Sequence, residues 1–287
     1  MQSISDIRHR IRTVKDTEQI TRAMNLISVS KMRRAQQLFR SNFIYFEQVR
    51  ATLKDILKHA SGMTHNFLQK PERNRAAYVV IAGDKGLCGG YNHNILSFAL
   101  DDIVTKAEKY ILTVGYVARD FFESAGYEVD IDYIHTAQNP SLHNARRIAS
   151  DIIGLYDSGI MDEVYIVFTE FLTPTRQRTK RIKLLPMEIG DFDDVDVEYD
   201  YNVDVLYQPT PDHVFSTLVP QYIIGMVYSA LVQASASEHS SRMIAMDTAT
   251  RNAQEMLRDL TLKYNRARQE RITNEIIEIV SGANATA

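Results

Sequence analysis

Two stretches at opposite ends of this chain lack the residues that interrupt helices. Residues 3–60 contain neither proline nor glycine, and residues 221–281 contain no proline and a single glycine, Gly225. Proline removes a backbone donor and glycine costs about 1 kcal/mol in a helix interior, so their scarcity permits very long helices. Helices of these lengths extend roughly 85–90 Å. We therefore expect two long terminal helices, part of whose length projects beyond any domain that 287 residues can form.

The apolar residues of both stretches have the spacing of a coiled-coil seam, in which positions alternate three and four apart. In the N-terminal stretch the seam begins with Ile4, Ile7, Ile11 and Val14. The pattern slips after Thr17 and is predicted to resume at Ile20, Met24 and Ile27. One face of the C-terminal stretch is apolar as well, at Ile223, Val227, Ala230, Leu231, Met243, Met246, Leu257, Leu260 and Tyr264. Two helices of matching length at the two ends of one chain predict an antiparallel coiled coil.

The segment between these helices changes period. Its short apolar runs predict strands at 76–82, 110–116, 127–133, 164–171 and 179–187. Helix-like stretches at 92–109, 118–125 and 141–157 separate the runs. Strands that alternate with helices favour βαβ units and a mainly parallel sheet covered on both faces. The predicted fold class is α/β, with a long antiparallel coiled coil of N- and C-terminal helices plus a Rossmann-like α/β domain.

These patterns divide the chain into four parts. We expect an N-terminal coiled-coil helix at 1–62, a Rossmann-like α/β domain at 75–190, an acidic connection at 191–211 and a C-terminal coiled-coil helix at 212–287. The connection is predicted because residues 191–204 carry seven carboxylates and no basic residue, a composition typical of a solvated segment.

Composition excludes several classes of protein. A formal net charge of -3 gives no global argument for nucleic-acid binding, and the single cysteine, Cys88, excludes an internal disulfide. The N-terminus lacks the apolar centre of a secretory signal. No stretch approaches the roughly 20 apolar residues that a membrane-spanning helix needs, so membrane association is expected only through a partner.

A glycine-rich turn, GDKGLCGGYN at 83–92, follows a predicted strand and opens a predicted helix. A dinucleotide site places its glycines there, but the spacing is not GxGxxG and no GKS or GKT follows. The alternative is that the glycines only allow a tight turn, which we favour. Cys88 has no nearby base in sequence, which favours a buried, inert thiol over a nucleophile.

No metal site is predicted. His135, His143, His213 and His239 are scattered and none has a metal-ligand spacing such as HExxH. The acidic run around Asp193 is more typical of a solvated connection than of a cation site.

The N-terminal helix is basic, since residues 1–40 hold nine Lys or Arg against three acids. The basic residues before residue 35 are Arg8, Arg10, Arg12, Lys15, Arg22, Lys31, Arg33 and Arg34. They are expected to face solvent or an acidic partner. Nucleic acid is one such partner, and an acidic protein surface is the other.

The end of the C-terminal helix is apolar where a surface tail is usually polar. Ile272, Ile276, Ile277, Ile279 and Val280 lie in its last turns, before the small residues at 281–283. An exposed apolar patch usually marks a binding site. This end either packs on the N-terminal helix or inserts into a partner's cavity.

Sequence blocks spread along the whole chain resemble the gamma subunit of the F-type ATP synthase. They are ISDIRHRI at 4–11, VKDTEQITRAM at 14–24, SKMRRAQ at 30–36, GDKGLCGGYN at 83–92, ASEH at 236–239, LTLKYNRARQ at 260–269 and IVSGA at 279–283. The family usually has Ser-Asp-Arg where Gly83, Asp84 and Lys85 stand here.

The resemblance implies a rotating central stalk that couples proton translocation to ATP synthesis or hydrolysis. The expected partners are the hexamer of alpha and beta subunits, the epsilon subunit and the membrane c-ring, with no nucleic acid. Catalysis takes place on beta, so this chain is expected to be no enzyme by itself and to hold no catalytic, cofactor-binding or metal-binding residue. The implied location is the cytoplasmic face of a bacterial cell membrane, with the membrane reached only through the complex.

Three sets of contact residues follow from the resemblance by position. Rotor–stator contact is implied at Arg8, Met24, Lys31, Arg268, Gln269 and Thr273. A C-terminal bearing in a hydrophobic sleeve is implied at Ile276, Ile277, Ile279 and Val280. Rotor-ring contact is implied at Tyr207 and Gln208, where the family often has an acid in place of Gln208.

Overall fold

The computed structural model of the chain describes residues 4–59, 65–69, 73–195 and 207–285. The helices and strands of this part are α1 (Ile4–His59), β1 (Arg75–Ile81), α2 (Tyr91–Ile103), β2 (Glu108–Val114), α3 (Tyr116–Ser124), β3 (Ile131–Tyr133), α4 (Leu142–Asp157), β4 (Glu163–Thr173), β5 (Arg176–Leu185) and α5 (Pro211–Ala285). The two terminal helices contain 56 and 75 residues. The predicted α/β fold with long helices at both ends is confirmed.

The strands form one sheet in the order β3-β2-β1-β4-β5. β1 pairs in parallel with both β2 and β4, and β2 pairs in parallel with β3. Only β5 is antiparallel, because it returns from β4 through a tight hairpin. The predicted mainly parallel sheet is therefore confirmed, with β5 as its antiparallel edge.

Apolar side chains cover both faces of this sheet. Tyr78 and Val80 of β1 point to the face covered by α2 and α3, where Phe122 is fully buried. Val79 and Ile81 alternate to the opposite face, as successive strand residues must. That second face packs with α4 and with the parts of α1 and α5 nearest the sheet in sequence, which contribute buried residues such as Ile56 and Ile223. The near-continuous apolar run of β1 reflects burial on both sides.

The chain divides into two compact units. One consists of residues 29–241 and contains the sheet with α2, α3 and α4, together with the adjoining parts of α1 and α5. The other consists of the described residues among 1–28 and 242–287, which belong to the remaining parts of α1 and α5.

Part of the predicted acidic connection, residues 196–206, lies outside the described residues, as do residues 60–62 of the predicted N-terminal helix. Before this gap the chain forms a short 3-10 turn, Ile189–Phe192. The Arg50 guanidinium in α1 then donates to Asp194 at 2.5 Å and lowers the pKa of that carboxyl. One carboxylate of the acidic run is thus paired with a basic side chain.

One expectation about α5 needs correction. Residues Pro211–Ser281 contain an 18-residue window with a mean hydropathy of 1.4 and at most two charged residues, which is long and apolar enough to cross a membrane. Within the described residues, 44% of that window is buried inside the protein. A core helix passes the same test, and the fully buried Phe215, Val219 and Val227 show that α5 packs against the sheet unit in this region.

Candidate functional site

In the unit formed by residues 4–28 and 242–285, α1 and α5 run antiparallel. The Arg8 guanidinium donates to the Tyr264 hydroxyl at 2.9 Å. Farther along α1, the Gln254 amide donates to Glu18 at 3.1 Å. Higher residue numbers on α1 therefore face lower residue numbers on α5, as an antiparallel pair requires.

The seam of this helix pair continues without the predicted slip. Its α1 residues, all buried or half-buried, are Ile4, Ile7, Ile11, Val14, Glu18, Thr21, Asn25 and Ser28. They keep the alternation of three and four throughout, and they meet a matching set on α5, namely Met243, Met246, Thr250, Ala253, Leu257, Leu260, Tyr264 and Ala267. The expectation that Ile20, Met24 and Ile27 resume the seam was wrong.

Polar side chains hold the seam positions because each finds a hydrogen-bond partner there. The Thr21 and Thr250 hydroxyls lie 2.8 Å apart, and the Asn25 amide donates to the Met243 carbonyl at 2.9 Å. A buried polar group that is hydrogen-bonded avoids most of the cost of leaving water. The seam thus changes from an apolar part near Ile7 to a polar part between Glu18 and Ser28, which we call the polar seam segment.

The apolar residues that the seam does not use face outward. Ile20 is 60% exposed and Ile27 is 56% exposed, while Met24 between them is half-buried. Their spacing of four and three places all three on one side of α1. We call this the outer face of α1, and an apolar strip of this kind is typical of a surface that binds another protein.

The predicted basic residues of α1 are exposed at every position named, from Arg8 to Arg34. Two of them are engaged within the helix pair. Arg22 forms an ion pair with Glu18 at 2.5 Å. Arg8 bonds to the Tyr264 hydroxyl and thereby lowers the pKa of that phenol, because a nearby cation stabilises the phenolate. Met24 and Lys31 are half-buried and exposed, respectively.

Residues 271–281, near the end of α5, are exposed on all sides. Ile276, Ile277, Ile279 and Val280 are more than half exposed, and Ile279 reaches 72%. Arg268, Gln269 and Thr273, predicted to contact the stator, are exposed as well. The described part of the pair therefore presents these side chains to solvent.

The two residues predicted to contact the rotor ring lie in the other unit. The Tyr207 phenol donates to the Asp55 carboxylate in α1 and is half-buried, and Gln208 beside it is exposed. Tyr207 therefore anchors the chain to α1 just before α5 begins, whereas Gln208 faces solvent.

The glycine-rich turn joins β1 to α2, as predicted, and Asn92 holds it together. The Asn92 side chain accepts from the Gly83 amide at 2.9 Å and donates to the Lys85 carbonyl at 3.3 Å. Its amide also lies 3.4 Å from the Cys88 sulfur, which is buried. This environment supports the interpretation of Cys88 as a buried structural thiol.

The carboxyl end of the sheet at this turn is where nucleotide-binding sheets hold their ligand, because the strand order reverses between β1 and β4. Here α5 fills the position. A Cβ placed on Gly83 would lie 3.1 Å from the Glu238 carboxyl group, which is itself buried. The sequence did not reveal this contact, although four serines within 235–241 follow directly on the mostly apolar residues 222–234 and mark the place.

No cluster of three or more His, Cys, Asp or Glu side chains suited to a metal ion occurs among the described residues. Asp84 at the glycine-rich turn serves the backbone instead. Its Oδ1 accepts from the amides of Tyr116 and His135 at 3.3 Å each, and so satisfies a donor at the start of α3.

Comparison with known proteins decides the family. The sequence profile of the ATP synthase family matches residues 3–286. The ATP synthase gamma chain of Caldanaerobacter subterraneus subsp. tengcongensis is 41% identical over 292 residues, which cover 97% of this chain and 98% of that protein. The gamma chain of Acetivibrio thermocellus is 39% identical over 293 residues, with 99% of each covered. The chain belongs to the ATP synthase gamma chain family. Gamma chains are non-catalytic central-stalk subunits of a membrane-associated complex.

Solved structures agree with the gamma-chain fold. A chain from the Euglena gracilis mitochondrial ATP synthase, solved as OSCP, F1 and c-ring in rotational state 3, has a TM-score of 0.68 at 19% identity. The match covers 99% of this chain and 94% of that one. A chain from the central stalk and c-ring of the Tetrahymena thermophila enzyme has a TM-score of 0.61 at 23% identity, covering 80% of this chain and 99% of that one. At these identities the likeness concerns the fold.

Proposed function

We propose that this chain is the rotating shaft of a bacterial F-type ATP synthase and couples proton translocation to ATP synthesis or hydrolysis on the beta subunits. The observation that carries the proposal is the match to two ATP synthase gamma chains over 97% and 99% of this chain. The antiparallel pair with its exposed outer face and exposed apolar end supplies the surfaces that a shaft needs.

The proposed partners are the hexamer of alpha and beta subunits, the epsilon subunit and the membrane c-ring. The solved neighbours are described as rotor, central stalk, F1 and c-ring assemblies, which supports this choice. We place the complex at the cytoplasmic face of the bacterial cell membrane, with this chain touching the membrane only through its partners.

Rotation has to change the conformation of the beta subunits one after another. A contact shifts a conformational equilibrium only when it favours one state over the other. The outer face of α1 at Ile20, Met24 and Ile27 offers an apolar contact on one side of the pair, and exposed basic residues flank it. As the shaft turns, each beta subunit meets this side in turn, and we assign the rotor–stator contact to Arg8, Met24 and Lys31 on that basis.

The end of α5 is proposed to turn inside the hexamer. Its exposed Ile276, Ile277, Ile279 and Val280 form an apolar surface that makes few directional bonds, which suits a bearing. Arg268, Gln269 and Thr273, just before it, are exposed and able to form hydrogen bonds with the stator. Tyr207 and Gln208, which directly precede α5, are assigned to the rotor ring.

For this role we propose the four-part division of the chain, with helices at 1–62 and 212–287, the α/β domain at 75–190 and the acidic connection at 191–211. The helices would form the shaft, and the α/β domain would attach it to the ring and epsilon subunit.

The decisive experiment is single-molecule rotation. Ser150 on α4 is exposed, so Ser150→Cys offers a conservative attachment point for a probe, with the alpha–beta hexamer immobilised. ATP is expected to drive stepwise rotation of the probe in one direction. ATP hydrolysis by a stable complex in which the probe stays still would contradict the proposal, and so would equal hydrolysis when the chain is absent or truncated after Tyr264.

A further inference from the structure

The crevice at the carboxyl end of β1 and β4 is filled by a helix of the same chain. In sheets of this order that bind nucleotides, the crevice is open and receives the phosphates near the start of the first helix. In this protein the Glu238 carboxyl group lies against Gly83, at the end of β1. Glu238 is only 3% exposed, so an acidic side chain is buried where an anionic ligand lies in those proteins.

Hydrogen bonds hold this part of α5 to β4 and to the turn between β4 and β5. The Ser237 hydroxyl donates to the Thr169 carbonyl of β4 at 3.1 Å, and the Ser240 hydroxyl donates to the Pro174 carbonyl at 2.6 Å. Both serines are fully buried. Their spacing of three places them on one side of α5, toward the β4–β5 hairpin.

Further bonds reach the same short stretch from two other elements. Gln177 of β5 donates to the Ser237 carbonyl at 3.0 Å and accepts from the Ser241 hydroxyl at 2.9 Å. On the other side, the Tyr91 hydroxyl at the start of α2 donates to the Ala234 carbonyl at 3.2 Å. The stretch 234–241 is therefore bonded to α2, β4 and β5 at once. We call this set of contacts, with Glu238 at its centre, the crevice joint.

Directional bonds at this place resist motions that apolar packing permits. A helix held only by apolar side chains can slide or turn by small steps at little cost, whereas a hydroxyl bonded to a carbonyl loses its bond when it moves about 1 Å. A buried donor or acceptor left without a partner then adds a desolvation penalty. The crevice joint thus fixes α5 against the sheet both along and around the helix axis.

We propose that Glu238, Ser237 and Ser240 are positioning residues that transmit torque between the α/β sheet and α5, with the Glu238 carboxyl group occupying the place of a ligand phosphate. The proposal rests on the shaft function. The crevice then has a mechanical role, because α5 of the same chain fills it in place of a bound ligand.

The test compares loaded with unloaded activity in the complete complex assembled in membrane vesicles. The double variant Ser237→Ala with Ser240→Ala removes two side-chain bonds of the joint. Its matched control is Ser216→Ala with Thr217→Ala, since both of these hydroxyls donate only to the His213 carbonyl within α5. Glu238→Gln is a third variant, which keeps the size of the side chain and replaces its carboxyl group by an amide.

We expect the double variant to lower the protons pumped per ATP by at least about threefold, because the hydrogen bonds from α5 to the Thr169 and Pro174 carbonyls are lost. ATP hydrolysis without a proton gradient is expected to stay within about twofold of the unmodified chain, since contacts with the hexamer are untouched. Hydrogen exchange at residues 234–241 should rise in the joint variants and stay unchanged in the control.

Two outcomes would overturn the proposal. In one, pumping and unloaded hydrolysis fall in parallel, which indicates a general loss of folding. In the other, the joint variants pump as well as the control. A complex in which the unmodified chain itself supports no pumping would instead contradict the shaft function, so the two failures are distinguishable.

Discussion

The seam of the helix pair and the core of the sheet solve the problem of burial in different ways. Between Glu18 and Ser28 the seam buries polar side chains that bond across the pair, and it leaves Ile20 and Ile27 exposed. The sheet buries apolar side chains on both faces, with Val79 and Val80 of β1 fully enclosed. The comparison teaches that the sheet unit is stabilised by apolar area, whereas the polar seam segment depends more on matched polar partners and leaves its neighbouring apolar residues exposed.

The largest loss of stability is expected when a glycine of the sheet unit is replaced. Gly115 has φ +96, and a Cβ there would lie 2.6 Å from the Ala82 carbonyl oxygen. Gly115→Ala is therefore expected to lower the free energy of unfolding by about 3–5 kcal/mol, measured by denaturant titration.

Gly126 provides the matched control for that prediction. It has φ +83 but nothing lies within 4 Å of a Cβ placed on it. Gly126→Ala should cost only about 1–2 kcal/mol, the penalty of the left-handed backbone alone. Equal losses in the two variants would show that the contact with the Ala82 carbonyl does not matter.

A leucine in each region gives the next comparison. Leu112 in β2 is fully buried, and Leu260 in the seam is 7% exposed. Leu112→Ala should destabilise the sheet unit by about 2–5 kcal/mol because a cavity remains. Leu260→Ala should cost about 2 kcal/mol, the low end of that range, because a helix pair can close part of the space. Hydrogen exchange resolves each unit separately, and a larger loss at Leu260 would reverse the comparison.

The polar seam segment allows a sharper test through Thr21 and Thr250, whose hydroxyls are 2.8 Å apart. Thr21→Val alone should cost about 1 kcal/mol because it leaves the Thr250 hydroxyl with one partner fewer. Thr21→Val with Thr250→Val replaces both partners by apolar groups of the same shape, so it should be nearly neutral or stabilising. A double-mutant cycle measured by thermal unfolding supplies the coupling energy. Additive losses would show that the hydroxyl pair contributes nothing.

The smallest expected effect is a difference in tyrosine titration. Arg8 lowers the pKa of Tyr264 in the pair, while burial raises the pKa of Tyr156 in α4 to about 12. As pH rises through 10, the unfolded chain ionises before Tyr156 does, so this residue reduces stability between pH 10 and 12. Tyr264 ionises earlier in the folded chain and therefore adds stability as pH rises toward 10, which is lost again as pH falls through its folded pKa.

Carbon-13 NMR of labelled tyrosine side chains measures both pKa values, with Tyr264→Phe and Tyr156→Phe to assign the signals. Arg8→Gln should return the pKa of Tyr264 toward its ordinary value and leave that of Tyr156 unchanged. A Tyr264 pKa that does not respond to this change would exclude the Arg8 contact as its cause.

The elements of the fold were predictable where local pattern decides them. The run at 76–82 identifies β1 because burial on both faces demands continuous apolar residues. The predicted strand at 127–133 was too long, and only Ile131–Tyr133 pairs with β2. Tyr127 and Val129 pack instead against the apolar cluster on the α2–α3 face of the sheet, and periodicity does not distinguish such packing from strand pairing.

The candidate site was less predictable because its contacts join distant positions. Glu18 occupies a seam position because it accepts a hydrogen bond from Gln254, which lies 236 residues farther along the chain. A search for apolar spacing passes over Glu18 and selects Ile20, which faces solvent. In the same way, nothing near Gly83 in sequence indicates that Glu238 covers it. The roles assigned to Met24, Arg268 and the other contact residues stay predictions until the complex is tested.

The exposed end of α5 has a consequence for how the cell makes this subunit. Four apolar side chains are more than half exposed in the free chain, namely Ile276, Ile277, Ile279 and Val280. Such a surface is recognised by chaperones and by proteases that degrade incomplete products. Incorporation into the hexamer would remove it from their reach, so the residues proposed as a bearing would also report whether the subunit has been assembled. A surplus of free chains is then expected to be short-lived, which would help to keep the number of shafts matched to the number of hexamers.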